Sequence, residues 1–329
     1  MTKACYVGVA GKARKVKKIY TGVANKARKV KKAYVGVGGK ARLFYSADQK
    51  LSYYGTVTGL SQARGMLAAT TVGNYGLFGG GSYSSGFSTV DAYNASLVRS
   101  TPTALSQARG NLAATTVGNY GLFGGGSSSI FGSAFSTVDA YNTSLVRSTP
   151  TALSQTMSML AATTVGNYGL FGGSHYAGST TVNAYNTSLV RSTLTALSQA
   201  RTGLAATAVG NYGLFGGGSI GDGSAISTVD AYNTSLVRST PTALSQARTG
   251  LAATAVGNYG LFGGGITSNN SSLNTVDAYN TSLVRSTPTA LSQARGNLAA
   301  TTVGNYGLFG GGTFSFDSNF STVDVYTVV

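Results

Sequence analysis

Catalysis and metal binding draw on a small set of side chains, and this 329-residue chain is short of them: it holds no Glu, eight Asp, one His and one Cys. His175 stands by itself in a loop, where a histidine is more often a plain surface residue than a ligand. Cys5 lies in the N-terminal segment, so an intrachain disulfide is excluded. Asp222 in GDGS and Asp317 in FDSN are isolated, whereas a calcium site gathers several oxygen ligands. The sequence therefore predicts no catalytic residue, no cofactor and no metal site.

Two charged positions recur instead. Asp91, Asp139, Asp230 and Asp277 are each followed eight residues later by Arg99, Arg147, Arg238 and Arg285. A three-residue turn between them would set Tyr93 opposite Leu97 and Asp91 opposite Arg99, an exposed cross-strand pair contributing about 0.2–1 kcal/mol. A second set, Arg64, Arg109, Arg201, Arg248 and Arg295, ends the motif LSQAR, with Met157 at that place in the third copy. These arginines would either ring a channel mouth and hold an acidic ligand group or cap and pack the connection they stand in.

The elements that must position them repeat. LAATTVGNYGLFGGG at Leu112 to Gly126 recurs six times between Leu67 and Gly312, with a Gly-Asn pair between two apolar runs. Such a pair predicts a two-residue hairpin loop, here at Gly118-Asn119 and its five counterparts. Units begin at Leu60, Leu105, Leu153, Leu197, Leu244 and Leu291, and each reads as four strands: LAATTV (a), YGLFGG (b), STVDAYN (c) and SLVRST (d). Four short antiparallel strands in each such unit is the spacing of propeller blades. The last unit stops after strand c at Val329, and Leu51–Thr58 reads as the strand that closes the ring and covers its open edge.

Phe123-Gly124-Gly125 at the end of strand b, Tyr141 in strand c and Arg109 before strand a resemble the kelch repeat over roughly Leu51 to Val329. The tryptophan that the kelch pattern carries after the tyrosine is replaced by Arg147 and its equivalents Arg99, Arg191, Arg238 and Arg285. The resemblance implies an all-β, six-bladed propeller that mainly binds partners. Propeller enzymes of the sialidase type would bring a Glu and Asp-box repeats, and copper-radical oxidases of kelch type several His ligands and a Tyr-Cys pair. This chain offers neither set, and a non-enzyme is expected.

The strands are nearly identical from copy to copy, while the b-to-c connections share almost nothing: SYSSGF, SSSIFGSAF, SHYAGST, SIGDGSAI, ITSNNSSLN and TFSFDSNF. Their Ser, Gly, Asn and aromatic palette is that of a paratope. Alternating strand direction puts these loops on the same face as the LSQAR arginines. Target recognition is therefore expected at Tyr83, Phe87, Ile130, Phe131, Phe135, Tyr176, Ile220, Ile266, Phe314, Phe316 and Phe320, with Arg64, Arg109, Arg201, Arg248 and Arg295 at the centre of that face.

The net charge of +16 divides unevenly: +13 before Leu43 and +3 after it. The basic segment repeats every fourteen residues from Tyr6, Tyr20 and Tyr34, with an alternation that predicts short hairpins having one cationic arm. Residues 1–44 read as an anchor and 45–329 as the propeller. The anchor charge is carried by Lys12, Arg14, Lys15, Lys17, Lys18, Lys26, Arg28, Lys29, Lys31 and Lys32. Leaving from the face opposite the variable loops, it would attach the propeller to a larger assembly.

No export signal or membrane span is read, since the apolar run Ala4 to Ala10 precedes the basic residues rather than following them. A basic repeat ahead of kelch-like repeats also resembles proteins of phages and prophages of gut Firmicutes. That likeness implies a virion adhesin of tail, fibre or baseplate, made in the bacterial cytoplasm. Its partners would be a host-surface protein or glycan and other virion proteins, with a trimer the oligomer expected of a fibre. An intracellular adaptor associated with protein or nucleic acid is the alternative.

Overall fold

Strand a alternates buried and half-buried positions, and the Gly-Asn pair after it has positive φ at glycine (Gly118, +53°), so the chain reverses in two residues as the sequence predicts. In the computed structural model this hairpin, Ala113–Val117 with Tyr120–Gly124, continues to strand c at Val138–Asn142 and strand d at Arg147–Ser148, all antiparallel and in sequence order. Side chains are described for residues 57–82, 85–129, 132–175, 179–314 and 320–328. Leu51–Thr56, the main part of the expected closing strand, lies outside the described residues. The chain divides into two compact units, Met1–Thr56 and Val57–Val329.

The second unit is an all-β, six-bladed β-propeller. Its first five blades are four-stranded sheets, and three strands of the sixth are described, ending at Val323–Thr327. In the first unit, Tyr6–Val9 pairs with Lys12–Lys15, Tyr20–Val23 with Lys26–Lys29, and Lys32–Val37 with Lys40–Ser46, three antiparallel hairpins at the period of fourteen. Among the described residues no helix is long and apolar enough to cross a membrane.

The core lies between blades rather than within one. Ala113, Val117, Leu122, Val138 and Ala140 of blade two pack against Leu160, Phe171 and Tyr185 of blade three, and the same residue types meet at the neighbouring seams. Glycine at the end of strand b makes this approach fit: a Cβ on Gly124 would stand 2.8 Å from the Phe171 ring. Burying each such phenylalanine contributes about 1.5–3 kcal/mol. Each ring also stands edge-on to its blade's tyrosine, as Phe123 does to Tyr141 at 6.0 Å. The Tyr141 hydroxyl then donates to the Thr103 carbonyl at 2.6 Å, fastening strand c to the connection that enters the blade. Burial raises the Tyr141, Tyr185, Tyr232 and Tyr279 phenols well above the usual value, and pushes Tyr326 up to about 12.

Strand d is shorter than the SLVRST read from sequence. Asn142 Oδ1 accepts from the Ser144 and Val146 amides, and Leu145 takes φ +62°, so five residues are used by the turn and only Arg147–Ser148 pair with strand c. The register shifts accordingly. Arg147 stands opposite Tyr141, and Arg99 opposite Tyr93, instead of opposite the aspartates. Because Asp139 is two residues from Tyr141 on the same sheet face, the Asp–Arg pair survives as a diagonal contact, with Arg147 Nη1 3.1 Å from Asp139 Oδ1.

Among the described residues, the packing that recurs at five seams is not repeated between blades six and one. The Cβ position of Gly310 meets only Val323 of its own blade, that of Gly76 meets nothing, and Val303, Val323 and Val325 are exposed.

Candidate binding face and axial cavity

The LSQAR arginines turn inward. Arg109 is fully buried, with Nη2 2.7 Å from Asp139 Oδ2 and 3.1 Å from the Phe123 carbonyl. The same pairing joins Arg64 to Asp91, Arg201 to Asp230, Arg248 to Asp277 and Arg295 to Asp324. Each carboxylate is shared. Asp139 also accepts from the Ser106 amide and hydroxyl as well as from Arg147. Burial lowers the Arg109, Arg201 and Arg248 guanidinium pKa, and the partner aspartate offsets part of that drop. At Asp91, burial acting alone would raise the carboxyl, but hydrogen bonds from Arg64 and Ser61 outweigh it and hold the carboxyl below its ordinary value.

These geometries favour the capping-and-packing reading of the LSQAR arginines and correct the expectation of exposed Asp–Arg pairs. The five arginines are an internal brace between the entering connection and strand c, and their charge is spent on aspartate instead of being offered to a ligand. The Asp–Arg pairs are likewise buried at the carboxylate, not exposed. Blade three shows the inner pair of the brace rebuilt without charge, with the outer arginine kept. Met157 replaces the inner arginine where Asn183 replaces the aspartate, and Asn183 Nδ2 points at Met157 Sδ at 3.6 Å while its Oδ1 accepts from Arg191 at 3.3 Å.

The variable loops and the connections that enter the blades do share one face. Gly110 bridges to Ser127, Thr202 to Ser219 and Thr249 to Ile266, so each loop is stitched at its root to the connection beside it. The a-to-b and c-to-d turns meet on the other face, where Gly118 lies under Thr187. Neighbouring loops also touch: the Gly86 amide donates to the Ser128 carbonyl and the Ala225 amide to Ser268 Oγ, joining the loops of blades one and two and those of blades four and five.

Of the loop residues singled out from sequence, Phe87, Phe135 and Phe320 are half-buried at the loop roots, each donating its amide to the glycine run that ends strand b. Ile226 and Leu273 do the same in blades four and five, so this position staples the loop to the scaffold. Phe314 is 51% exposed. Ile220 and Ile266 are half-buried on the loop face. Tyr83, Ile130, Phe131, Tyr176 and Phe316 lie outside the described residues.

At the axis the structure brings together residues that the sequence reading missed. The second residue after each LSQAR arginine position has φ between +51° and +62°: Met66, Asn111, Met159, Gly203, Gly250 and Asn297. Their backbones form a chain of hydrogen bonds from blade to blade, the Asn111 amide to the Met66 carbonyl, Met159 to Asn111, Gly203 to Met159, Gly250 to Gly203 and Asn297 to Gly250. In blades four and five the pair after the arginine is Thr-Gly, and the missing side chains at Gly203 and Gly250 leave a cavity of about 410 Å³ on the loop face. Its walls include His175 and Ile220 from the variable loops, Thr202, Thr249 and Asn297 from the entering connections, and Met159. The signal was in the sequence as Arg-Thr-Gly twice against Arg-Gly-Met or Arg-Gly-Asn, but only the positive φ at the axis gives that difference a meaning. Among the described residues no group of three or more His, Cys, Asp or Glu side chains could hold a metal.

This architecture defines a six-bladed β-propeller, and comparison with known proteins agrees at the level of fold. No family model matches the chain, and no curated protein does. Among solved structures it is similar to the one described as "Structure of YjhT", with TM-score 0.65 and 12% identity over 83% of this chain and 97% of that one. An identity that low shows the fold alone, and a propeller fits a binding module.

Proposed function

We propose that this chain is a non-enzymatic recognition module of kelch-like repeats, which binds its target through the variable-loop face and its axial cavity. The observation that carries the proposal is where the copies differ. A scaffold repeated six times with almost no change concentrates its differences in the b-to-c loops and in the axial residues after LSQAR, and both sets meet on one face. Adaptable Ser, Gly and Asn beside apolar contact area is a palette suited to recognition.

The finer reading is a phage or prophage virion adhesin that attaches to a host-surface glycan or protein, with residues 1–44 anchoring it to the particle by their basic hairpins. Replacing the b-to-c loops with Gly-Ser segments should leave the fold intact and abolish binding to host cells. Binding that survives the replacement would refute the loop-face reading. Deleting residues 1–43 should abolish incorporation into the particle without unfolding the propeller, and unchanged incorporation would refute the anchor. If instead the basic segment binds duplex DNA, its affinity should fall with salt at a log–log slope of about −0.9 per phosphate contacted, which would favour the adaptor alternative.

A further inference from the structure

The axial cavity has a chemistry that narrows its ligand. Among the described residues that line it, Arg201 is buried with its charge committed to Asp230 Oδ2 at 2.5 Å, no Asp, Glu or Lys is present, and His175 is the other titratable side chain. A cation entering it would surrender water without meeting a carboxylate, and an anion would find the Arg201 charge already committed and His175 as the remaining titratable group, a desolvation cost that neutral ligands avoid. What the walls do offer is the Thr202 and Thr249 hydroxyls, which donate to the Met159 and Gly203 carbonyls and keep their lone pairs for an incoming hydroxyl, the Asn297 amide, and apolar surface from Ile220 and Met159.

The glycines set this arrangement. A Cβ on Gly203 would stand 2.5 Å from Thr249 Oγ1, and one on Gly250 2.7 Å from Asn297 Oδ1, so the absence of side chains there is what lets each polar group of the following blade reach the axis. At the rim, Gly221 has nothing within 4 Å of its Cβ position, which keeps the mouth open. About 410 Å³ lies within the roughly 300–1,000 Å³ typical of small-molecule sites.

We infer that the axial cavity binds a neutral, polyhydroxylated ring, either a free monosaccharide or the terminal unit of an uncharged glycan. The inference deepens the recognition reading above and rests on it. Hydroxyls of the ring would pair with Thr202, Thr249 and Asn297 while its C–H face lies on Ile220 and Met159.

The test uses the full chain. Saturation-transfer NMR and calorimetry would be run against neutral hexoses, N-acetylhexosamines and neutral disaccharides, with uronic acids, amino sugars and short peptides as comparison. An array of immobilised glycans would separate a terminal unit from a free sugar. The decisive variants are Gly203→Met and Gly250→Asn, which install side chains that other blades already carry at the same positive φ, Met159 and Asn297.

The expected result is that at least one neutral sugar binds, and that the paired variants weaken it about tenfold or more, equivalent to about 1.4 kcal/mol, with the sheet content by circular dichroism retained. Thr249→Val, which keeps side-chain shape and removes a hydroxyl, should weaken it in the same direction. Retained binding in the paired variants, or a preference for charged sugars or peptides, overturns the inference. Silence of every sugar while loop-dependent binding to host cells persists overturns the inference and leaves the recognition reading standing. Absence of binding to sugars, peptides and cells alike overturns both.

Discussion

Asp139→Asn tests whether the internal brace is as costly to break as its burial implies. Asp139 and Arg109 are both fully buried, and the substitution leaves the Arg109 guanidinium facing an amide at 2.7 Å where it now faces a carboxylate. Removing one partner of a buried pair costs about 3–5 kcal/mol, because the other charge stays desolvated. Arg109→Met strands the carboxylate less severely, since Arg147 and the Ser106 amide and hydroxyl still reach it, and should cost about 1–3 kcal/mol. The double variant Asp139→Asn, Arg109→Met reproduces the neutral brace of Asn183 and Met157 in blade three. It should fall within about 1 kcal/mol of the parent, since exchanging a whole buried pair is often close to neutral. Urea unfolding of all four proteins, followed by circular dichroism and compared at constant m, gives the coupling energy. If the single costs simply add in the double variant, the pair does not act as a unit and the argument from blade three fails.

Three further outcomes follow from the packing. Gly124→Ala should destabilise by about 1–3 kcal/mol through overpacking, since its Cβ would press on the Phe171 ring at 2.8 Å, whereas Gly76→Ala, with nothing near its Cβ, should be far milder; thermal melts compare the two. Asn142→Ala removes two hydrogen bonds from the c-to-d turn and should cost about 1–2 kcal/mol by the same assay, leaving sheet content unchanged. The interior tyrosines have raised folded pKa values, so their contribution to stability is complete below the unfolded value near 10 and is lost as pH climbs from there towards the folded value. Absorbance at 295 nm should therefore show the four most buried phenols ionising only together with unfolding, and early, reversible ionisation of all tyrosines would contradict their burial.

Much of the fold was legible because its local signals are repeated. Gly-Asn between two apolar runs fixes a hairpin, and six copies at blade-like spacing leave few architectures. The register of strand d was less legible: Leu145 at positive φ extends the turn, and nothing about a leucine announces that conformation. The inward path of Arg109 also could not be read, since an arginine suits a buried brace as well as a channel mouth, and what decides is its distance to an aspartate 30 residues away. The shared face of loops and connections followed from strand alternation. The cavity did not, because Gly203 and Gly250 matter only through the side chains they lack at the axis.

The central claim is that recognition belongs to the loop face, and a hydrogen-exchange footprint tests it most directly. The full chain would be compared free and saturated with whichever glycan or surface protein it binds on an array of such molecules. The account predicts slowed exchange at the loop roots and axial connections, at Ser127, Thr202, Ser219, Thr249 and Ile266, with no change at the c-to-d turns around Ser144, Ser188, Ser235 and Ser282. Protection centred on those turns, with the loop face unchanged, would contradict it.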